Sequence, residues 1–101
     1  MNEINEKDLV DLESAAFRKL ILHLKENPEI QNIELMNIAD FCRNCLSKWF
    51  LAAANEKGIN LDYDQAREII YGMPYNEWKA KYQKEATPEQ KAKFEARNKS
   101  L

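Results

Sequence analysis

Glycine is scarce in this chain, since Gly58 and Gly72 are the only two among 101 residues. Phosphate-binding loops and dinucleotide-binding turns need several glycines close together, because the backbone itself must approach the phosphates. Two isolated glycines cannot supply such a loop. The sequence therefore argues against a nucleotide-binding α/β fold.

The residues of common catalytic sites are also few. The chain has one histidine, His23, and it lacks a His-Glu-x-x-His motif and a serine in a nucleophile-elbow setting. Asp62 and Asp64 come nearest to a carboxylate pair, but they stand where a helix should begin, and aspartate is common there as a cap. We assign no catalytic residue and favour a protein that is not an enzyme.

A long apolar run is missing as well. The longest uninterrupted apolar run, Trp49 to Ala54, is far shorter than the roughly 20 residues that a transmembrane helix needs. Residues 1–8 are acidic and lack the basic-then-apolar order of a secretory signal. We therefore expect a cytoplasmic protein with no membrane partner.

The residues that are present suffice for one folded domain. Hydrophobic residues make up 45% and charged residues 32% of the chain, a balance that favours folding. The length fits a single helical domain over residues 1–101, with residues 1–7 and 99–101 as frayed ends. The formal net charge is −2, whereas nucleic-acid-binding domains usually carry a strong basic excess, so we expect no nucleic-acid partner.

Apolar side chains recur at helical spacing along most of the chain, and no segment alternates as a strand would. The first helix should end near Asn27, because Pro28 disfavours helical geometry in the residue before it. We predict an all-α fold, a small bundle or array of four to five helices around a long central helix.

The long central helix is the second one. It should be capped by Asn32 and run without a break until Gly58 supplies a left-handed stop. Two later helices have capping-box start signals, which are Asp62 with Gln65 and Thr87 with Gln90, and a further helix from Asn76 lies between them.

Apolar residues occupy most of the circumference of this second helix. One stripe contains Cys42, Cys45 and Trp49, and other large apolar side chains project outside it. Such a helix must be covered on more than one side, and the short neighbouring helices of one chain offer little surface. We therefore predict a homodimer, with an interface that contains Met36, Phe41, Trp49 and Phe50.

Cys42 and Cys45 form a Cys-x-x-Cys motif that has three interpretations. In the first, both thiols pack in the core as small apolar side chains. In the second, they bind a metal together with His23, which follows Leu20 on the inward side of the first helix. Zinc is the metal that such a set would bind, and no other cofactor is expected. A fourth ligand would be water, a carboxylate such as Asp40, or a group of a second chain.

The third interpretation is thiol redox chemistry. It requires a cysteine at the start of a helix, where the helix dipole and free N–H groups lower the pKa of the thiol. In an unbroken second helix, Cys42 lies well inside the helix, where the dipole and free N–H groups of the helix start do not lower its pKa. If the helix instead ends and a new helix begins with Asp40 as its N-cap, Cys42 lies in the first turn beside Arg43 and can form a reactive thiolate.

Several segments of the chain resemble a known family. They are Asn32–Asn37, Phe41–Trp49 with its Phe-Cys-Arg-Asn-Cys-Leu block, and Tyr71–Tyr75 followed by Trp78 and Lys79. In these segments the chain is similar to the short bacterial proteins of domain-of-unknown-function family 1244, and the likeness extends from about residue 9 to residue 90. The resemblance implies a bacterial, all-helical, stand-alone domain and carries no established activity.

Overall fold

The computed structural model describes residues 3–99, and these residues form six helices without a strand. The helices are α1 (Glu6–Glu26), α2 (Asn32–Ala39), α3 (Arg43–Glu56), α4 (Tyr63–Tyr71), α5 (Tyr75–Tyr82) and α6 (Pro88–Lys99). The all-α prediction is confirmed. The helices outnumber the predicted four to five because the segment expected as one long second helix forms both α2 and α3.

The predicted second helix is interrupted at residues 40–42, so the prediction of one unbroken helix is wrong. Asp40 has a φ of 64° and a ψ of 25°, in the left-handed region. A right-handed helix cannot continue through such a residue, and aspartate is among the few residues that tolerate it. The N–H of Asp40 bonds to the carbonyl oxygen of Met36 at 3.1 Å. Asp40 therefore closes α2, and Cys42 rather than Asp40 is the N-cap of α3.

The starts of α4 and α6 follow their sequence signals. Gln65 N–H donates to the Asp62 carboxylate at 2.8 Å, and the Gln65 side chain accepts from Asp62 N–H at 2.9 Å. Thr87 and Gln90 form the same reciprocal pair at 3.1 and 2.9 Å. Each pair satisfies two backbone N–H groups that the first turn of a helix leaves open.

Asn32 is not the N-cap of α2, which corrects another prediction. The cap is Gln31, whose N–H donates to the Glu34 carboxylate at 2.8 Å. Asn32 is the first residue of the helix, and its side chain is held by Tyr71 and Arg43 instead. Contacts from distant parts of the chain thus outweigh a local capping preference.

The core lies where the carboxyl-terminal half of α1 meets α3, α4 and α5. Tyr71 and Trp78 pack edge to face with ring centroids 5.1 Å apart, a favoured arrangement for aromatic pairs. Burial of each large apolar side chain contributes about 1.5–3 kcal/mol, so this cluster holds the four helices together. Its buried members are Ile21, Leu24, Leu46, Ile70, Tyr71 and Trp78.

The amino-terminal half of α1 extends away from this core. Every residue from 6 to 16 is exposed, whereas Phe17 and Leu20 pack against the core and Ile21 and Leu24 belong to it. The radius of gyration is 16.0 Å, and a compact domain of this length has about 13 Å. Because α1 has 21 residues and is about 31 Å long, roughly half its length stays open to solvent.

The last helix, α6, packs on α2. The Asn37 side-chain amide donates to the Gln90 carbonyl oxygen at 3.2 Å, and Arg97 forms an ion pair with Asp40. The ends predicted to fray include residues 1–2 and 100–101, which lie outside the described residues. Among residues 3–99, no helix combines the length and the apolar character that a bilayer span requires.

Candidate functional site at the start of α3

The turn between α2 and α3 brings sulfur atoms together. Cys42 caps α3 and Cys45 lies one helical turn later, so both side chains lie on one face of the first turn. Their Sγ atoms are 3.9 Å apart, and both are free thiols. The interruption of the helix at residues 40–42 thus puts the Cys-x-x-Cys motif at a helix start, as the redox interpretation required. The N-cap, however, is Cys42 itself.

A third sulfur joins the two thiols. The Sδ atom of Met36, on the last turn of α2, lies 3.9 Å from the Sγ atom of Cys45. Cys42 is buried, whereas Met36 and Cys45 are half-buried, so the three atoms sit just below the surface. We call Met36, Cys42 and Cys45 the sulfur cluster.

The surroundings of Cys42 favour the neutral thiol over the thiolate. Burial raises its pKa, and the backbone N–H groups of Cys45 and Asn44, which lower the pKa, compensate only in part. A redox or nucleophilic cysteine needs a pKa shifted in the opposite direction. The helix-start position that the redox interpretation required is present, but desolvation is the larger effect.

His23 lies apart from the inward face of α1, contrary to the prediction. Its side chain is exposed, because Ile21 and Leu24 take the positions that face the core. Residues 3–99 contain no group of three or more His, Cys, Asp or Glu side chains that could hold a metal ion. Of the predicted set His23, Cys42 and Cys45, the structure brings the two cysteines together, and zinc binding stays a prediction.

Arg43, between the two cysteines, is almost completely buried, with 1% of its surface exposed. Its guanidinium donates to the carbonyl oxygens of Ile30 at 2.6 Å and Asn27 at 3.1 Å, and to Asn32 Oδ1 at 3.1 Å. The ring of Trp78 lies 5.0 Å from its Cζ atom. Arg43 therefore fastens the α1–α2 loop to the start of α3.

The acceptors around the Arg43 guanidinium are neutral groups. Burial lowers the pKa of Arg43, whereas the charges that Tyr71 and Cys42 carry when deprotonated, and the carboxylate of Glu29, raise it. A buried cation is stabilised when an anionic group lies nearby. The start of α3 thus has a fixed positive charge within electrostatic range of Cys42.

Tyr71 connects α4 to the same region. Its hydroxyl donates to Asn44 Oδ1 at 2.7 Å and accepts from the Asn32 amide at 3.1 Å. Burial raises the pKa of Tyr71, and the hydrogen bond from Asn32 opposes this shift. The phenol therefore stays neutral and positions α2 relative to α3.

Gln31 is a buried amide that sequence analysis missed. Its Nε2 group donates to the carbonyl oxygens of Glu29 at 3.0 Å and Tyr82 at 2.9 Å, and its Oε1 accepts from Lys84 N–H at 2.9 Å. It joins the α1–α2 loop to the segment between α5 and α6. Helical periodicity does not mark Gln31 or Arg43 as buried, because glutamine and arginine are usually exposed.

The predicted interface residues lie in different places. Met36 belongs to the sulfur cluster, and Phe41 packs against the core with its ring centroid 6.3 Å from that of Trp49. Trp49 keeps 60% of its surface exposed. Phe50 is half-buried and lines a groove between α1, α3 and α4. Their role in a dimer stays a prediction.

Comparison with known proteins gives one family. The family model described as "Protein of unknown function (DUF1244)" matches residues 30–96, which include the sulfur cluster, Arg43 and Tyr71. A comparison with curated proteins finds no match. Because the match covers well over half of the chain, the protein belongs to the DUF1244 family, as its sequence resemblance implied.

Proposed function

We propose that this protein is a self-associating helical domain in which α1 is the dimerisation element. In the proposed homodimer, the amino-terminal half of α1 from one copy occupies the groove between α1, α3 and α4 of a second copy. The observation that carries the proposal is the match between the exposed, acidic half of α1 and a basic, apolar groove on the same chain.

The exposed half of α1 carries the apolar side chains that such a contact needs. Leu9, Val10 and Leu12 lie on it, and Leu12 keeps 56% of its surface exposed. A helical segment of this length without a packing partner is marginally stable in water. Cover from another surface would therefore stabilise the half of α1 that the rest of the chain leaves open.

The groove has the complementary character. Phe17, Ile21, Phe50 and Ile69 give it an apolar floor, and its charged side chains are Arg18 and Lys25, both basic. An amphipathic helix that binds in a groove buries its apolar face and pairs its charges at the rim. Phe50, one of the predicted interface residues, is part of this surface.

Charge along α1 makes the contact self-complementary. Residues 6–15 hold four acidic and one basic side chain, whereas residues 16–26 hold three basic and one acidic side chain. Two copies of α1 that run antiparallel about a two-fold axis bring each acidic half beside a basic half. The same contact then forms twice, which is the geometry of an isologous dimer.

The proposal also places the domain in the bacterial cytoplasm. Two free thiols 3.9 Å apart fit a reducing compartment, where disulfides rarely persist. The family resemblance supports a bacterial source.

Sedimentation equilibrium on the purified full chain tests the dimer. We expect a dimer mass at micromolar concentration, and a shift towards monomer in Leu12→Asp, because a carboxylate in an apolar contact is costly. Ile59→Asp is the matched control, since Ile59 has a similar exposure of 55% and lies outside α1 and the groove. A wild-type monomer, or equal dissociation by both variants, would contradict the proposal.

A charge-reversal pair sharpens the test. Arg18→Glu puts a carboxylate in the groove and should weaken association through repulsion with the acidic half of the other copy. Asp11→Lys should weaken it as well, and the double variant should recover part of the loss, because opposite charges face each other again. Additive weakening in the double variant counts against the antiparallel arrangement.

A further inference from the structure

We propose that the sulfur cluster is a binding site for one Cu(I) ion, with Met36 Sδ, Cys42 Sγ and Cys45 Sγ as ligands. The proposal is independent of self-association. In this site the thioether of Met36, which the α2–α3 turn places beside Cys45, takes the position that the sequence analysis gave to His23.

The first argument is the spacing of the sulfur atoms. Metal–thiolate bonds of about 2.3 Å that meet at trigonal or tetrahedral angles hold their sulfurs about 3.8–4.0 Å apart. Cys45 Sγ is 3.9 Å from Cys42 Sγ and 3.9 Å from Met36 Sδ. Both separations from Cys45 therefore match the separation that one shared ion imposes on its sulfur ligands.

The second argument is the chemistry of the donors. Thiolates together with a thioether are a soft ligand set, which selects Cu(I) over harder ions, whereas zinc sites combine thiolates with imidazole or further thiolates. The third donor beside Cys45 is the Met36 thioether. A set of two thiolates and one thioether thus favours a soft monovalent ion.

The third argument is charge. Binding of Cu(I) displaces one proton from each thiol, so the ion with its two thiolates carries a net charge of −1. Arg43 follows Cys42 in sequence, its buried guanidinium has neutral hydrogen-bond acceptors, and a negative charge on Cys42 acts on it favourably. A single negative charge on the site adds to the Glu29 carboxylate in stabilising the Arg43 cation, whereas zinc with two thiolates is neutral and adds nothing to that stabilisation.

The surroundings of the cluster suit a tight but accessible site. Cys42 has 7% of its surface exposed, and Met36 and Cys45 are half-buried, so a metal can enter from the surface while most of the site is shielded from water. The left-handed Asp40 and the ion pair of its carboxylate with Arg97 fix the turn that joins the two helices. Because the turn already has a fixed conformation, the ligand side chains need little further ordering when the metal binds, and this favours a high affinity for the metal.

The test is an anaerobic titration of the reduced full chain with Cu(I), in competition with the chromophoric Cu(I) chelator bicinchoninate. We expect one equivalent per chain, and X-ray absorption that shows three sulfur neighbours at about 2.3 Å from the metal. Two sulfur neighbours, no transfer of metal from the chelator, or displacement of bound Cu(I) by equimolar Zn²⁺ would overturn the proposal.

Variants assign the ligands. Met36→Leu keeps nearly the same volume and should weaken Cu(I) binding about tenfold or more, whereas Met73→Leu, a half-buried methionine away from the cluster, should leave it unchanged. Cys45→Ser should abolish one-to-one binding, with circular dichroism to show that the variant is folded. Equal affinity in Met36→Leu and Met73→Leu removes Met36 from the site and overturns the three-sulfur assignment.

Discussion

Met36 and Cys45 are nine residues apart in sequence, and their sulfur atoms are 3.9 Å apart in space. On an unbroken helix, nine residues correspond to about 13–14 Å along the axis and to opposite faces. The contact exists because Asp40 turns the chain between them. The sulfur cluster therefore depends on the conformation of one residue outside the cluster.

The left-handed conformation of Asp40 leads to the first prediction. Asp40→Gly and Asp40→Val both remove the carboxylate that pairs with Arg97, so the difference between them isolates the backbone. Glycine adopts positive φ without steric cost, whereas a β-branched residue there is strained. We expect the free energy of unfolding of Asp40→Val to be about 1–2 kcal/mol below that of Asp40→Gly.

Urea denaturation followed by tryptophan fluorescence measures this difference. Equal midpoints and slopes for the two variants would show that residue 40 does not need the left-handed region in solution. Met36 and Cys45 would then lack the turn that joins them.

The second prediction concerns the buried guanidinium of Arg43. Arg43→Met keeps a long side chain but leaves the carbonyl oxygen of Ile30 without its donor, and the carbonyl oxygen of Asn27 keeps only the N–H of Ile30. Loss of bonds to buried acceptors should lower the free energy of unfolding by about 2–4 kcal/mol. Arg43→Lys should recover only part of this, because an ammonium cannot reach three acceptors as a planar fork does.

Lys48→Met on the same helix is the control, since Lys48 is exposed and its replacement should change stability by about 0.5 kcal/mol or less. The measurement is chemical denaturation at neutral pH. If Arg43→Met and Lys48→Met have the same stability, Arg43 does not fasten the α1–α2 loop to α3.

The third prediction follows from the raised pKa of Tyr71. The folded protein keeps the phenol proton at a pH where the unfolded chain, with a tyrosine pKa near 10, begins to lose it. Because the folded state then binds more protons than the unfolded state, the free energy of unfolding should fall as pH rises above about 10. Tyr71→Phe should show a shallower fall over the same range.

At neutral pH, Tyr71→Phe should itself be about 1–2 kcal/mol less stable, since Asn32 and Asn44 lose their partner. Denaturation curves for both proteins at neutral pH and in a series up to about pH 11 separate the two effects. Parallel loss of stability in both proteins would assign the alkaline sensitivity to other groups.

Much of the fold could be predicted from local sequence signals. Asp62 with Gln65 and Thr87 with Gln90 mark helix starts, because their side chains bond to backbone groups three residues away. Gly72 ends α4 with a φ of 80°, a conformation that glycine adopts readily. Such signals act within one turn of chain, so they are legible without knowledge of the fold.

The candidate site was predicted only in part. Cys42 and Cys45 stand three apart, so any helix beginning near them brings their thiols together. Met36 could not be joined to them, because nothing in the sequence marks Asp40 as left-handed. His23 was assigned to the inward face of α1, but helical periodicity leaves the exact rotation of a helix against its core undetermined.

By itself, the sequence determined the helical class, most helix boundaries and the pairing of the two cysteines, because these depend on contacts between residues a few positions apart. Tertiary structure alone decided the break at Asp40, the burial of Arg43 and Gln31, and the exposure of half of α1. Each of these depends on which distant groups supply hydrogen bonds or apolar cover. Arg43 can be buried only because the carbonyl oxygens of Asn27 and Ile30 meet it there, and residues 6–16 stay exposed because the core of one chain ends before it reaches them.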